Sequence, residues 1–171
     1  MTLTGQTALV TGASRGLGRA IARRLAREGS AVSINYVARA NEAASLCDEI
    51  RAEGGRAITV QADVGDAAQV KRMAERTVSE LGPISILVNN AGVVYRATLE
   101  TFEPTGMERM RRINVDGLIY VTRAVLPPMK ERKYGRIVNL SSIAGHGTSL
   151  PGNAFYAATK GAVTVLTRRF A

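Results

Sequence analysis

Tyr156 and Lys160 stand four residues apart, a spacing that puts two side chains on one face of a helix with Cβ atoms about 5–6 Å apart. A free tyrosine hydroxyl has a pKa of about 10, too high to exchange protons efficiently at neutral pH. A neighbouring ammonium favours the phenolate and lowers that value. Ser142 adds a hydroxyl that can hydrogen-bond a carbonyl oxygen and help hold charge there. Together the three suit acid–base chemistry at a carbonyl. A Tyr-x-x-x-Lys pair by itself is more often an ordinary surface pair, so the elements around it must decide. His146, the only histidine, falls in the loop after Ser142 and reads as a loop or substrate-side residue rather than the acid or base.

A second cluster of chemistry-bearing residues is Thr11-Gly12-Ala13-Ser14-Arg15-Gly16-Leu17-Gly18. The apolar run Thr7–Val10 leads into it, and a helical pattern with Leu17, Ile21 and Leu25 four apart leads out. Gly12 allows the chain to reverse where a Cβ would clash. Gly16 and Gly18 allow backbone to approach a ligand and the helix to pack on the strand. The helix N-terminus then offers free N–H groups and a positive dipole end to a pyrophosphate. The spacing Gly-x-x-x-Gly-x-Gly is looser than the Gly-x-Gly-x-x-Gly dinucleotide fingerprint.

The elements that must position these clusters alternate along the chain. Strands are expected at Thr7–Val10, Ala31–Asn35, Ala57–Gln61, Ile84–Val88 and Arg136–Leu140. Gly29 should close the first helix. Asn41 should cap a second, running to about Glu53 and closed by Gly54-Gly55. Asp66 with Gln69 resembles a capping box opening a third, ended by Gly82-Pro83. A long helical region should reach about Lys133, and a last helix carries Tyr156 and Lys160. This βα rhythm predicts an α/β fold, a Rossmann-like doubly wound parallel sheet, in one dinucleotide-binding domain over 1–171. Ligands of such sheets sit outside the carboxyl ends of the strands, where every motif noted lies.

The end of strand two, Asn35-Tyr36, is where such folds place an acid on the adenosine ribose, and here there is none. No Asp or Glu occurs between Glu28 and Glu42, whereas Arg39 does. With Arg15 in the glycine turn, this favours a 2′-phosphate, hence NADP(H) over NAD(H). Against it, both arginines can simply be surface residues.

The composition is that of a soluble globular domain, with 46% hydrophobic and 22% charged residues over 171 positions. No run approaches the roughly 18 apolar residues of a membrane helix. The single cysteine, Cys47, cannot form an internal disulfide, and no Cys/His cluster suggests a metal. A reduced, cytoplasmic setting is expected, with no signal peptide. The net charge of +9 raises a nucleic-acid reading, but aromatic residues are only 5% and the basic residues are spread over several helices. No nucleic-acid or membrane partner is expected.

Taken together, Thr11-Gly12-x-x-x-Gly16-x-Gly18, Asp63-Val64, Asn89-Asn90-Ala91-Gly92, Asn114, Ser142 and Tyr156-x-x-x-Lys160 resemble the short-chain dehydrogenase/reductase family, in family order. Within it the chain is most similar to the NADPH-dependent 3-oxoacyl-(acyl-carrier-protein) reductases of fatty acid biosynthesis. The resemblance implies that Tyr156 is the general acid in carbonyl reduction. Lys160 would lower its pKa and bind the nicotinamide ribose, Ser142 would orient the carbonyl, and Asn114 would hold a water linking Lys160 to solvent. Gly12, Ser14, Arg15, Gly16, Leu17, Gly18, Asn35, Tyr36 and Arg39 would hold the phosphates and ribose. Asp63 and Val64 would line the adenine pocket, and Asn90, Ala91 and Gly92 would pass beside the adenosine ribose. Expected partners are a small-molecule or carrier-bound carbonyl substrate and a second copy of the chain, as homodimer or homotetramer. The basic cluster Lys130, Arg132, Lys133 and Arg136 can meet an acidic carrier protein, or simply be a solvated helix end.

The family has seven strands, and strands six and seven have no counterpart here, so the domain reads as incomplete at its C-terminus. The polypeptide itself is therefore expected to show low or no turnover. An inactive dinucleotide-binding fragment and a protein-interaction fragment remain as alternatives to the enzyme.

Overall fold

The computed structural model describes residues 2–147 and 150–171; Met1, Thr148 and Ser149 lie outside the described residues. Five parallel strands form one sheet in the order β3-β2-β1-β4-β5: β1 (Thr7–Val10), β2 (Ala31–Tyr36), β3 (Ala57–Gln61), β4 (Ile84–Asn89) and β5 (Arg136–Asn139). The helices are α1 (Gly16–Arg27), α2 (Ala40–Ala52), α3 (Ala67–Leu81), α4 (Pro104–Arg111), α5 (Gly117–Glu131) and α6 (Ala154–Phe170). The order reverses between β1 and β4, and that switch point opens a crevice at the carboxyl ends.

Alternation along the strands explains the two layers of helices. Ala8, Val10, Val32 and Ile34 pack with Ala22, Ala26, Ala43 and Leu46 of α1 and α2 on one face. Leu9, Ile58, Val60 and Leu87 pack with Val70, Met73, Val121 and Val125 of α3 and α5 on the other. Every residue of β1 and β4 is buried, as strands covered on both faces must be.

The expected helix stops are present. Gly29, at φ +99°, donates to Ala26 while Ser30 donates to Leu25, the paired bonds of a Schellman close. Gly54 and Gly55 close α2 in the same way on Arg51 and Ile50. Asp66 caps α3 through Ala68 N and Gln69 N, at 2.9 and 3.1 Å. Gln69 Oε1 accepts from Asp63 N at 2.9 Å, so the box reaches back into the loop after β3.

Two expectations need correction. Asn41 does not cap α2: the helix begins at Ala40 with Arg39 in the cap position. Glu42, in the first turn, accepts its own backbone N–H and takes over part of what a cap would do. The long helical region is also not one regular helix. Arg112–Asp116 form a π turn between α4 and α5. Such bulges are frequent at functional sites, and this one holds Asn114.

Among the described residues β5 pairs only with β4, and its Val138 is 51% exposed. The sheet thus has an open edge there.

Candidate active site

The glycine turn is built into the sheet by hydrogen bonds that leave its outer side open. Thr11 Oγ1 accepts from Asn90 N and Ala91 N, each at 3.0 Å, locking the turn to the end of β4. Asn90 Nδ2 donates to Thr11 O and Gly12 O at 2.8 and 3.0 Å. Gly12 has φ +62°, and a Cβ there would fall 3.0 Å from Ala91 Cα. Arg15, the N-cap residue of α1, makes no side-chain capping bond, and no acid lies in the first turn. The helix N-terminus therefore presents its N–H groups and dipole outward. Ser14 is buried, whereas Arg15, Gly16 and Leu17 are exposed around that end.

The structure places Asn35 beneath the turn rather than at its mouth. It is buried, its Oδ1 accepts from Gly12 N at 3.1 Å, and its Nδ2 donates to Ala62 O at 2.9 Å. Its amide thus positions the turn from beneath. Tyr36, half-buried, packs against the core on the α1–α2 side. Arg39 is exposed and pairs with Glu42 at 2.8 Å.

Asp63 is held on both oxygens. Oδ1 accepts from Gly65 N and Oδ2 from Arg112 Nη2, each at 2.9 Å. Arg112 reaches across from the π turn and lies against Gly65, where a Cβ would be 2.6 Å from its Nη1. Val64 is buried in the core against Gly117. The loop after β3 and the segment carrying Asn114 are thus tied together.

Asn114 is buried and grips the backbone of Val93 twice, accepting from its N at 2.8 Å and donating to its O at 2.9 Å. It also donates to Thr159 Oγ1 at 3.1 Å, the residue before Lys160. Gly92 lies between, for a Cβ there would be 3.3 Å from Asn114 Oδ1 and 3.7 Å from Lys160 Nζ. Lys160 is 6% exposed and donates to Leu140 O at 2.6 Å. Ser141 Oγ donates to Lys160 O at 2.9 Å, so both ends of this lysine hold the end of β5. That stitching brings Ser142, which accepts from Ala144 N to start a short 3-10 turn (Ile143–His146), beside α6. The turn packs on α6 through Gly145, where a Cβ would be 2.9 Å from Gly161 N. Lys160 Nζ is 5.9 Å from the centre of the half-buried Tyr156 ring.

The structure thus gathers the glycine turn, Asn90–Gly92, Asn114, Ser142, Tyr156 and Lys160 at the carboxyl ends of the strands. A cavity of about 10 Å³, room for one water, lies among Thr11, Asn89, Asn114, Leu140 and Lys160. A far larger cavity, about 500 Å³, opens at the other end of the sheet among Gln6, Arg27, Ile50, Glu53 and Arg56. None of the chemistry-bearing residues lines it, so size does not locate the site. The basic cluster also lies at that other end. Arg132 donates to Ile84 O at 2.7 Å, and Arg136 stands 5.4 Å from the centre of the Tyr134 ring.

Sequence reasoning placed Thr11 at the head of the glycine turn without giving its hydroxyl a role, and it missed Thr159 and Arg112. Arg112 carried no local signal, because its partner Asp63 is distant in the chain.

Burial pushes the Lys160 ammonium below the usual lysine pKa. Between that lowered value and the free value of about 10.4, the unfolded chain binds more protons than the folded one, so this residue makes stability rise with pH. Lys160→Met is accordingly expected to melt at the same or a higher temperature at pH 7, and its advantage should shrink toward pH 10. A large loss of melting temperature at pH 7 would show instead that the bond to Leu140 O outweighs the desolvation.

These features define a doubly wound α/β protein whose polar constellation stands at the strand carboxyl ends around a glycine turn. The profile of the short chain dehydrogenase family matches residues 6–171, and the chain belongs to that family. It is 39% identical over 163 residues to the 3-oxoacyl-[acyl-carrier-protein] reductase FabG of Staphylococcus aureus, covering 95% of this chain and 66% of the relative. The corresponding reductase of Synechocystis is 40% identical over 169 residues, 99% of this chain and 68% of the relative. Among solved structures, a gluconate 5-dehydrogenase from Burkholderia cenocepacia in complex with NADP and tartrate is 42% identical. It superposes with a TM-score of 0.89, covering 97% of this chain and 64% of its own. The chain thus spans slightly less than two thirds of the length of the Staphylococcus reductase.

Proposed function

We propose that these residues form the site of an NADP(H)-dependent oxidoreductase that reduces a carbonyl, a 3-oxoacyl thioester or related ketone, to a secondary alcohol. The observation that carries this reading is Lys160, buried one helical turn from Tyr156 and bonded to the strand end that leads into Ser142. The residues fit a dinucleotide: the turn is open on its outer side and a helix N-terminus faces out of it. NADPH, when bound, supplies the hydride. The N–H groups at Gly16 to Gly18 hold the pyrophosphate, and Arg15 and Arg39 attract the 2′-phosphate. Asn90 to Gly92 flank the adenosine ribose, with Asp63 and Val64 toward the adenine. Ser142 donates to the substrate carbonyl, Tyr156 gives the proton to its oxygen, and Lys160 holds the ribose. The small cavity beside Asn114 is the place for a water that links Lys160 to solvent.

The carrier-bound substrate rests on the names of the relatives, not on the basic cluster, which faces away from Tyr156 on its own chain. A cytoplasmic setting and self-association follow the same reading; no helix among the described residues is long and apolar enough to cross a membrane.

Fluorescence titration tests the cofactor. NADPH is expected to bind more tightly than NADH, and Arg15→Ala/Arg39→Ala should weaken NADPH at least tenfold while changing NADH less than twofold, as loss of two phosphate contacts predicts. Equal losses for both would mean that the arginines serve only the fold or general charge.

A further inference from the structure

Arg15, Arg39 and Glu42 share one rim. Gly12 N and Ala13 N both bond Asn35, at 3.1 and 2.8 Å, so the glycine turn lies against the end of β2, from which Arg39 and Glu42 follow. Arg39 Nη1 meets Glu42 Oε1 at 2.8 Å, with the two side chains 51% and 44% exposed. Arg15 is close enough that its charge also acts on the Glu42 carboxylate. Arg19 Nη1 holds the Glu42 backbone carbonyl at 2.9 Å, while its other nitrogen pairs with Glu49 at 2.8 Å. Glu49 also takes Arg23, at 2.7 Å, so that carboxylate is already balanced. Glu42 is therefore the acid that faces the Arg15–Arg39 pair.

We infer that Glu42 is a specificity-determining residue that competes with the 2′-phosphate of NADP(H) for Arg39 and so limits the preference for NADP(H). This rests on the NADP(H) reading above. The acid that folds of this class carry at the end of the second strand to receive a ribose hydroxyl is absent at Asn35-Tyr36. Glu42 puts an acid back on the rim six residues after Tyr36, but one held by an arginine rather than offered to the ribose. A phosphate arriving at Arg39 must break this ion pair or share it, and it meets the repulsion of the carboxylate. The pair is half exposed, so the effect is that of a screened surface interaction. An NAD(H) adenosine ribose carries no 2′-phosphate and leaves the pair intact.

Glu42→Gln should therefore tighten NADPH by about threefold to tenfold at low salt while NADH changes less than twofold, consistent with one partly exposed charge removed. Glu42→Lys should tighten NADPH further. In an Arg39→Ala background Glu42→Gln should lose most of its gain. Retained NADH binding shows that each variant is folded. If the unmodified chain favours NADPH and neither Glu42 variant tightens it, the inference is overturned and the NADP(H) reading stands. If the unmodified chain binds NADH as tightly as NADPH, the reading beneath it fails. A gain of equal size for NADH would overturn the inference as well, reporting general charge rather than competition for a phosphate.

Discussion

Tyr156→Phe is expected to lower the rate of carbonyl reduction by about 10²–10⁴-fold, the range that a positioned proton donor contributes. The phenol hydroxyl is the only group that the substitution removes. Tyr156 sits in the first turn of α6, and its hydroxyl has no protein partner among the described residues. The ring stays half-buried, one turn from Lys160, whose bond to Leu140 O does not involve the phenol. Melting temperature and NADPH affinity should therefore stay close to those of the unmodified chain. The measurement is oxidation of NADPH under single-turnover conditions, where even a slow enzyme is readable. A variant that retains a tenth or more of the rate would remove Tyr156 from the acid role. Ser142→Ala provides the contrast, for it also removes the acceptor that starts the 3-10 turn at Ala144 and so combines a chemical and a structural loss.

Gly18→Val is expected to weaken dinucleotide binding by tenfold or more and to lower the melting temperature by about 5 °C, as overpacking of about 1–3 kcal/mol does in a domain of this size. A Cβ at Gly18 would lie 2.5 Å from Asn90 Nδ2 and 2.6 Å from Gly12 O. Neither atom can yield cheaply. The Asn90 amide is the clamp on Thr11 O and Gly12 O, and Gly12 O belongs to the turn itself. Relief must push α1 away from the turn and move the N–H groups proposed to hold the pyrophosphate. Gly16→Ala is a different kind of change. A Cβ there meets nothing within 4 Å, but the backbone sits at φ +57°, so the cost is left-handed strain of about 1–2 kcal/mol without a clash. Calorimetric melting with NADPH titration separates the two. Unchanged binding by Gly18→Val would show that the close packing of α1 on the turn is dispensable.

The strands were legible because they are short apolar runs bounded by glycine, proline and asparagine. All five appear within one residue of the expected bounds. Gly29, Gly54 and Gly82 end helices as expected, since a left-handed stop is a local requirement that glycine alone meets cheaply. The start of α2 misled because Asn41 is a good cap in isolation, while Glu42 serves the first turn from inside. The π turn was illegible for a related reason. Extra residues in a helix turn are stabilised by what the bulged side chains reach, and Asn114 reaches Val93 and Thr159.

By itself the sequence determined the alternation of strand and helix, the places where the chain turns, and the set of residues capable of acid–base chemistry. These depend on side-chain period and on backbone freedom, both readable over a few positions. Only the tertiary structure decided which polar groups are left free to act. It put Asn35 under the glycine turn, joined Asp63 to Arg112, and buried Lys160 against the end of β5. Each of these depends on a partner from another part of the fold. A polar side chain seeks the nearest satisfying partner, and which partner is nearest is settled by packing.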